Sequence, residues 1–187
     1  MNLSTLPHLV DLMSIMKKKI YIATFFIAPV LCFLLGWVTK MPIYGGCVDV
    51  SDIAVFVVSI ICGPWVGITC GVGVAISDIV CGAYLNSAFS GVISAIVGWV
   101  CGYVYKHTFA SFSIRKCKIL SLLCAFGTSV VLWLCASFIL IKDPYTALML
   151  FLLKAIISLG CAILAYFVLP KIPHFFDEER WNKDISG

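Results

Sequence analysis

From residue 20 to residue 169 the chain is a succession of apolar runs, and nearly every charged side chain falls in a short gap between two of them. A bilayer core roughly 30 Å thick takes about 20 apolar residues per helical crossing, and buried backbone groups must then pair within the segment. Such a pattern leaves one fold class, an all-α integral membrane protein. With 62% hydrophobic and 12% charged residues, the chain has half the charge of an ordinary soluble domain, where about a quarter of residues are ionic. Its 187 residues hold five or six spans and no sizeable domain outside the membrane.

Six spans are read at 20–39, 50–62, 65–80, 88–105, 119–141 and 146–169. The whole is one membrane domain: 1–19 as a cytoplasmic surface helix, 20–169 as a six-helix transmembrane bundle, 170–187 as a charged cytoplasmic tail. The N-terminal stretch places its lysines after an amphipathic segment and offers no small-residue cleavage site, unlike a cleavable signal. Spans two and three are short for a full crossing. Residues 40–46 read as a loop with turn chemistry, 82–87 as a polar and aromatic loop, and 106–118 as a basic hairpin.

Orientation follows from the cations. With both termini cytoplasmic, Lys17, Lys18, Lys19, Lys106, Arg115, Lys116, Lys118, Lys171, Arg180 and Lys183 lie inside, against Lys40 and Lys142 outside. The positive-inside rule favours this arrangement, and a five-span chain would misplace one basic cluster. Asp49, Asp52, Asp78 and Asp143 then all face outward.

The stretch 45–82 is the candidate site. Two apolar segments meet at Gly63-Pro64, and the acids sit only at the far ends, so folding back at Gly-Pro brings Asp49, Asp52 and Asp78 together. Asp49 alone reads as a solvated first-turn acid; Asp52 lies deeper, and Asp78 closes an apolar helix at its unfavourable dipole end. Lys154 lies within the sixth span, where an ammonium facing lipid costs roughly 2.5–3.5 kcal/mol on insertion scales. It either snorkels to the headgroups or stands in a polar pocket with Asp52, Asp78 or a substrate oxygen. Tyr44, Tyr84, Phe89, Trp133 and Tyr145 lie near the same level. Small residues recur at Gly63, Gly67, Gly71 and Ala75, and again at Gly91, Ala95, Gly98 and Gly102, a pattern that serves close helix packing generally.

No catalytic constellation is present: there is no nucleophile triad, phosphate loop or HExxH motif, and His8, His107 and His174 fall on the opposite side from the acids. The 10 cysteines lack CxxC spacing and histidine partners, so neither a metal site nor a disulfide framework is indicated. No cofactor and no nucleic-acid partner are expected.

These residues resemble a known family, the substrate-capture (S) components of energy-coupling factor (ECF) vitamin transporters, in particular the riboflavin-transporter-like branch. The similarity rests on Gly45, Gly46, Val50, Ser51 and Asp52, then Gly63, Pro64, Gly67, Gly71, Gly73, Asp78, Gly82 and Tyr84, with serine at 51 where the family usually has glycine. The resemblance implies six helices, an outward pocket for a vitamin or related heterocycle, and association with a membrane coupling subunit and two cytoplasmic ATPases. With the reading above it gives a substrate set of Tyr44, Gly46, Asp52, Asp78, Tyr84, Asn86, Trp133 and Lys154, and a partner-facing pair, Thr24 and Ala28, on the first helix. Riboflavin, pyridoxine and pyrimidine-precursor ligands all fit the branch, in a bacterial-type plasma membrane. Two rivals stand beside this reading: a small ion-coupled carrier or channel with Asp52, Asp78 and Lys154 as its relay, and a structural assembly subunit.

Overall fold

The computed structural model describes residues 6–43, 46–108 and 112–169; the tail from 170 onward and Tyr44 lie outside the described residues. Among the described residues there are six α-helices: α1 (Leu6–Thr39), α2 (Asp52–Cys62), α3 (Pro64–Val80), α4 (Tyr84–Thr108), α5 (Ile114–Leu140) and α6 (Pro144–Val168). One antiparallel hairpin joins α1 to α2, β1 (Met41–Ile43) pairing with β2 (Gly46–Val48).

Segments 19–39 of α1 and the whole of α4, α5 and α6 are long and apolar enough to cross a membrane. Large apolar side chains such as Phe26, Val38, Ile139, Ile156 and Phe167 are exposed on them, as lipid contact requires. At 1.5 Å per residue, α2 is only about 16 Å long and α3 about 25 Å. α2 compensates by position. Most of its side chains are buried, from Ala54 to Cys62, because one apolar cluster packs it against α4, α5 and α6 and a second against α1 and α3.

Helix boundaries follow from local chemistry. Gly63, at φ 90°, is the single residue between α2 and α3, and Pro64 then occupies the first turn of α3, where its missing N–H leaves no bond unmade. Gly82, at φ 80°, ends the α3 side, with the Ala83 N–H donating to the Asp78 carbonyl at 2.9 Å. Asp143 caps α6, its carboxylate accepting from the Thr146 N–H at 2.9 Å.

α3 and α4 pack backbone to backbone through the two small-residue ladders. A Cβ added to Gly67 would lie 2.6 Å from the Gly98 carbonyl oxygen, and one on Gly102 would lie 2.7 Å from the Pro64 nitrogen. α1 approaches α3 similarly: a Cβ on Gly36 would meet the Ser77 hydroxyl at 2.7 Å.

Four segments differ from the reading of the sequence. The expected surface helix and first span form one continuous helix from Leu6, since no breaker separates them. The expected loop at 40–46 contains a strand and turns back on a second, which pairs backbone groups that a loop would leave to solvent. Residues 84–87 are not a loop but the first turn of α4. The expected basic hairpin is largely helical, so Arg115, Lys116 and Lys118 belong to α5 and the Lys118 side chain is buried.

Candidate functional site

The N-terminus of α2 meets α3, α4, α5 and α6 around a small cleft of about 10 Å³. Asp52 is the first residue of α2, where the helix dipole favours a carboxylate. Opposite it, Lys154 of α6 holds its Nζ 4.4 Å from the centroid of the Trp133 ring on α5. All three line the cleft, with Asp49, Ser90 and Ser94.

Lys154 therefore does not run along α6 to the headgroups. A cation over an indole face gains roughly 0.5–2 kcal/mol, more as water is removed. No ion pair within 4.0 Å joins Lys154 to Asp52 or Asp78 among the described residues. The buried Ser158 hydroxyl of α6 donates to that of Ser129 on α5 at 3.3 Å, a polar contact within an apolar bundle. One cation, one half-buried acid and an aromatic face thus share the cleft.

Asp78 sits differently. It is buried beside this cleft, with one oxygen paired to Lys40 and the other accepting from the Ser90 hydroxyl. Asp49 is also committed: Oδ1 accepts the Ser51 N–H at 2.9 Å and the Ser51 hydroxyl, and Oδ2 lies 3.9 Å from Lys40 Nζ. Asp78 is thus a junction between α1, α3 and α4, and its oxygens are not turned to the cleft.

Of the other expected site residues, Gly46 begins β2 in the hairpin. Tyr84 is largely exposed and Asn86 half-buried; neither lines the cleft, because the first turn of α4 turns outward there while the Ser87 hydroxyl ties it to the Ala75 carbonyl at 2.9 Å. Thr24 bonds its hydroxyl back to the Ile20 carbonyl at 2.7 Å. Ala28 is fully buried in the cluster between α1, α2 and α3, so its small side chain serves packing within the chain and does not form an outer face.

Lys40, Ser90 and Ser94 were not singled out from sequence. The serines had a visible signal, since Ser87, Ser90 and Ser94 fall three and four apart on one face of α4. Lys40 had none, reading only as a loop cation after an apolar run.

A sequence model of the family described as ECF-type riboflavin transporter, S component, matches residues 14–171, most of the chain. The chain belongs to that family. No individually curated protein matches it. An S component is the substrate-binding subunit of an ECF transporter, a membrane transport protein and not an enzyme. In this S component no cluster of three or more His, Cys, Asp or Glu side chains is placed to hold a metal ion among the described residues. The chemistry open to its cleft is recognition: charge, stacking and hydrogen bonding, with no bond made or broken.

Proposed function

We propose that this S component captures riboflavin, or a flat heterocycle of the same kind, in the cleft between Asp52, Trp133 and Lys154. The observation that carries the reading is the Lys154 ammonium held over the Trp133 face within an otherwise apolar bundle, opposite the Asp52 carboxylate. In this reading the ring stacks in the region of Trp133, Lys154 donates to a ring carbonyl, and Asp52 with Ser94 receives ring or side-chain donors. Pyridoxine and pyrimidine precursors are smaller members of the same chemical range.

The chain crosses the plasma membrane of a bacterial cell six times with both termini in the cytoplasm. α2 and α3 complete their crossings with polar ends, and the cleft faces the exterior. A membrane coupling subunit and two ATPase subunits of the ECF module supply the energy, since the chain carries no phosphate loop of its own. The ion-relay reading requires Asp52, Asp78 and Lys154 to act in series, and the pairing of Asp78 with Lys40 speaks against it.

The test is to purify the full chain and identify any copurifying small molecule by mass spectrometry, then titrate riboflavin by quenching of its fluorescence. Binding that falls at least tenfold, about 1.4 kcal/mol, in Lys154→Met supports the reading. No binding of any of the three ligand classes, or equal affinity in Lys154→Met, removes it.

A further inference from the structure

The cleft mouth holds a second charged arrangement that none of the proposed ligand contacts uses. Lys40 lies between α1 and β1, and its side chain, only 3% exposed, pairs with Asp78 at the end of α3. Its Nζ is also 3.3 Å from the Ser77 hydroxyl and 3.9 Å from Asp49 Oδ2. One residue earlier, the Thr39 hydroxyl oxygen accepts the Val50 N–H at 3.2 Å. The hairpin 41–48 therefore has both feet pinned, residues 39–40 on entry and 49–50 on exit, to each other and to α3. Asp78 extends the tie to α4 through Ser90, and Asp49 and Ser90 are themselves part of the cleft wall.

A single ammonium serving two carboxylates with so little water makes each partner dependent on the others, because removing one strands a buried charge. It also leaves the cleft with a simple balance. Asp49 and Asp78 share one cation from the side, and Asp52 and Lys154 line the cleft.

We propose that Lys40 is the positioning residue of the binding site: it holds the feet of the hairpin against α3 and α4 and so sets the width of the mouth, without touching ligand itself. The inference rests on the cleft being the ligand site.

The test uses the full chain in nanodiscs with riboflavin as the probe. Lys40→Met is expected to speed both association and dissociation, dissociation more, for a net loss of roughly tenfold in affinity. Lys40→Arg is expected to keep the wild-type rates, and Lys40→Met combined with Asp78→Asn to be no weaker than Lys40→Met alone. Amide hydrogen exchange without ligand gives an independent readout: residues 41–50 exchange faster in Lys40→Met and in Asp78→Asn, but not in Lys40→Arg. Unchanged exchange over 41–50 in both Lys40→Met and Asp78→Asn, or additive losses in the double variant, overturns the proposal. If Lys40→Met fails to insert, Asp78→Asn and Lys40→Arg decide it by exchange. If the wild type does not bind riboflavin, the functional reading fails separately and exchange still decides the role of Lys40.

Discussion

The α3–α4 seam and the α5–α6 wall are built from the same kinds of residue and tolerate change very differently. In the seam, glycines stand against backbone, so an added Cβ at Gly98 would meet the Gly67 carbonyl oxygen at 2.5 Å. In the wall, Gly127 and Gly160 have nothing within 4 Å of where a Cβ would be. The seam is an intolerant scaffold, and the wall is permissive at Gly127 and Gly160 although it buries residues such as Ala125, Ala136, Cys161 and Ala165. Glycine therefore carries two meanings in one membrane bundle, and only its neighbours tell them apart.

The contrast breaks most visibly at Gly67. Gly67→Leu should push α3 and α4 apart and cost at or above the roughly 1–3 kcal/mol of overpacked cores, seen as loss of monodisperse protein and a large fall in melting temperature. A Gly67→Leu variant with wild-type melting would mean that the seam is not close-packed. Next in size, Trp133→Ala should lower riboflavin affinity by about tenfold while melting changes less than in Gly67→Leu, since ring stacking and the cation contact are lost together. Gly127→Ala and Gly160→Ala should lie within about 1 kcal/mol of neutral, or slightly stabilising, with ligand affinity kept. If either matches Gly67→Leu, the division between seam and wall is wrong.

The smallest effect belongs to the N-terminal corner of α6. The Thr146 hydroxyl and N–H hold the exposed Asp143 carboxyl below its usual range. A carboxyl depressed in the folded state stabilises above the unfolded carboxylate range and loses that contribution as pH falls through its folded value. A slight drop in melting temperature between about pH 5 and pH 3 should therefore be present in the wild type and weaker in Asp143→Asn, which keeps a capping side chain without the titration.

Much of this was legible in the sequence because the membrane makes its demands locally. Two small-residue ladders in neighbouring spans announced the seam. An ammonium among Phe151, Leu152 and Leu153 had to find company, and it found Trp133. The acids at the ends of 45–82 did converge, Asp49 and Asp52 on the cleft and Asp78 just behind it. What stayed hidden depended on long-range geometry. Lys40 looked like any lysine beyond a span, because its partner lies 38 residues on. Tyr84 and Asn86 looked like mouth residues because helical phase at the start of α4, not composition, decides which way they face.

Gly63 leaves one further consequence. A corner made of a single residue contains no slack, so a tilt at the C-terminal end of α2 cannot be absorbed and must reappear at the start of α3. The two short helices then act as a bent lever with its elbow at Gly63 and its tips near Asp52 and Asp78. A displacement of the elbow would arrive at the cleft as a change in the spacing of its charges.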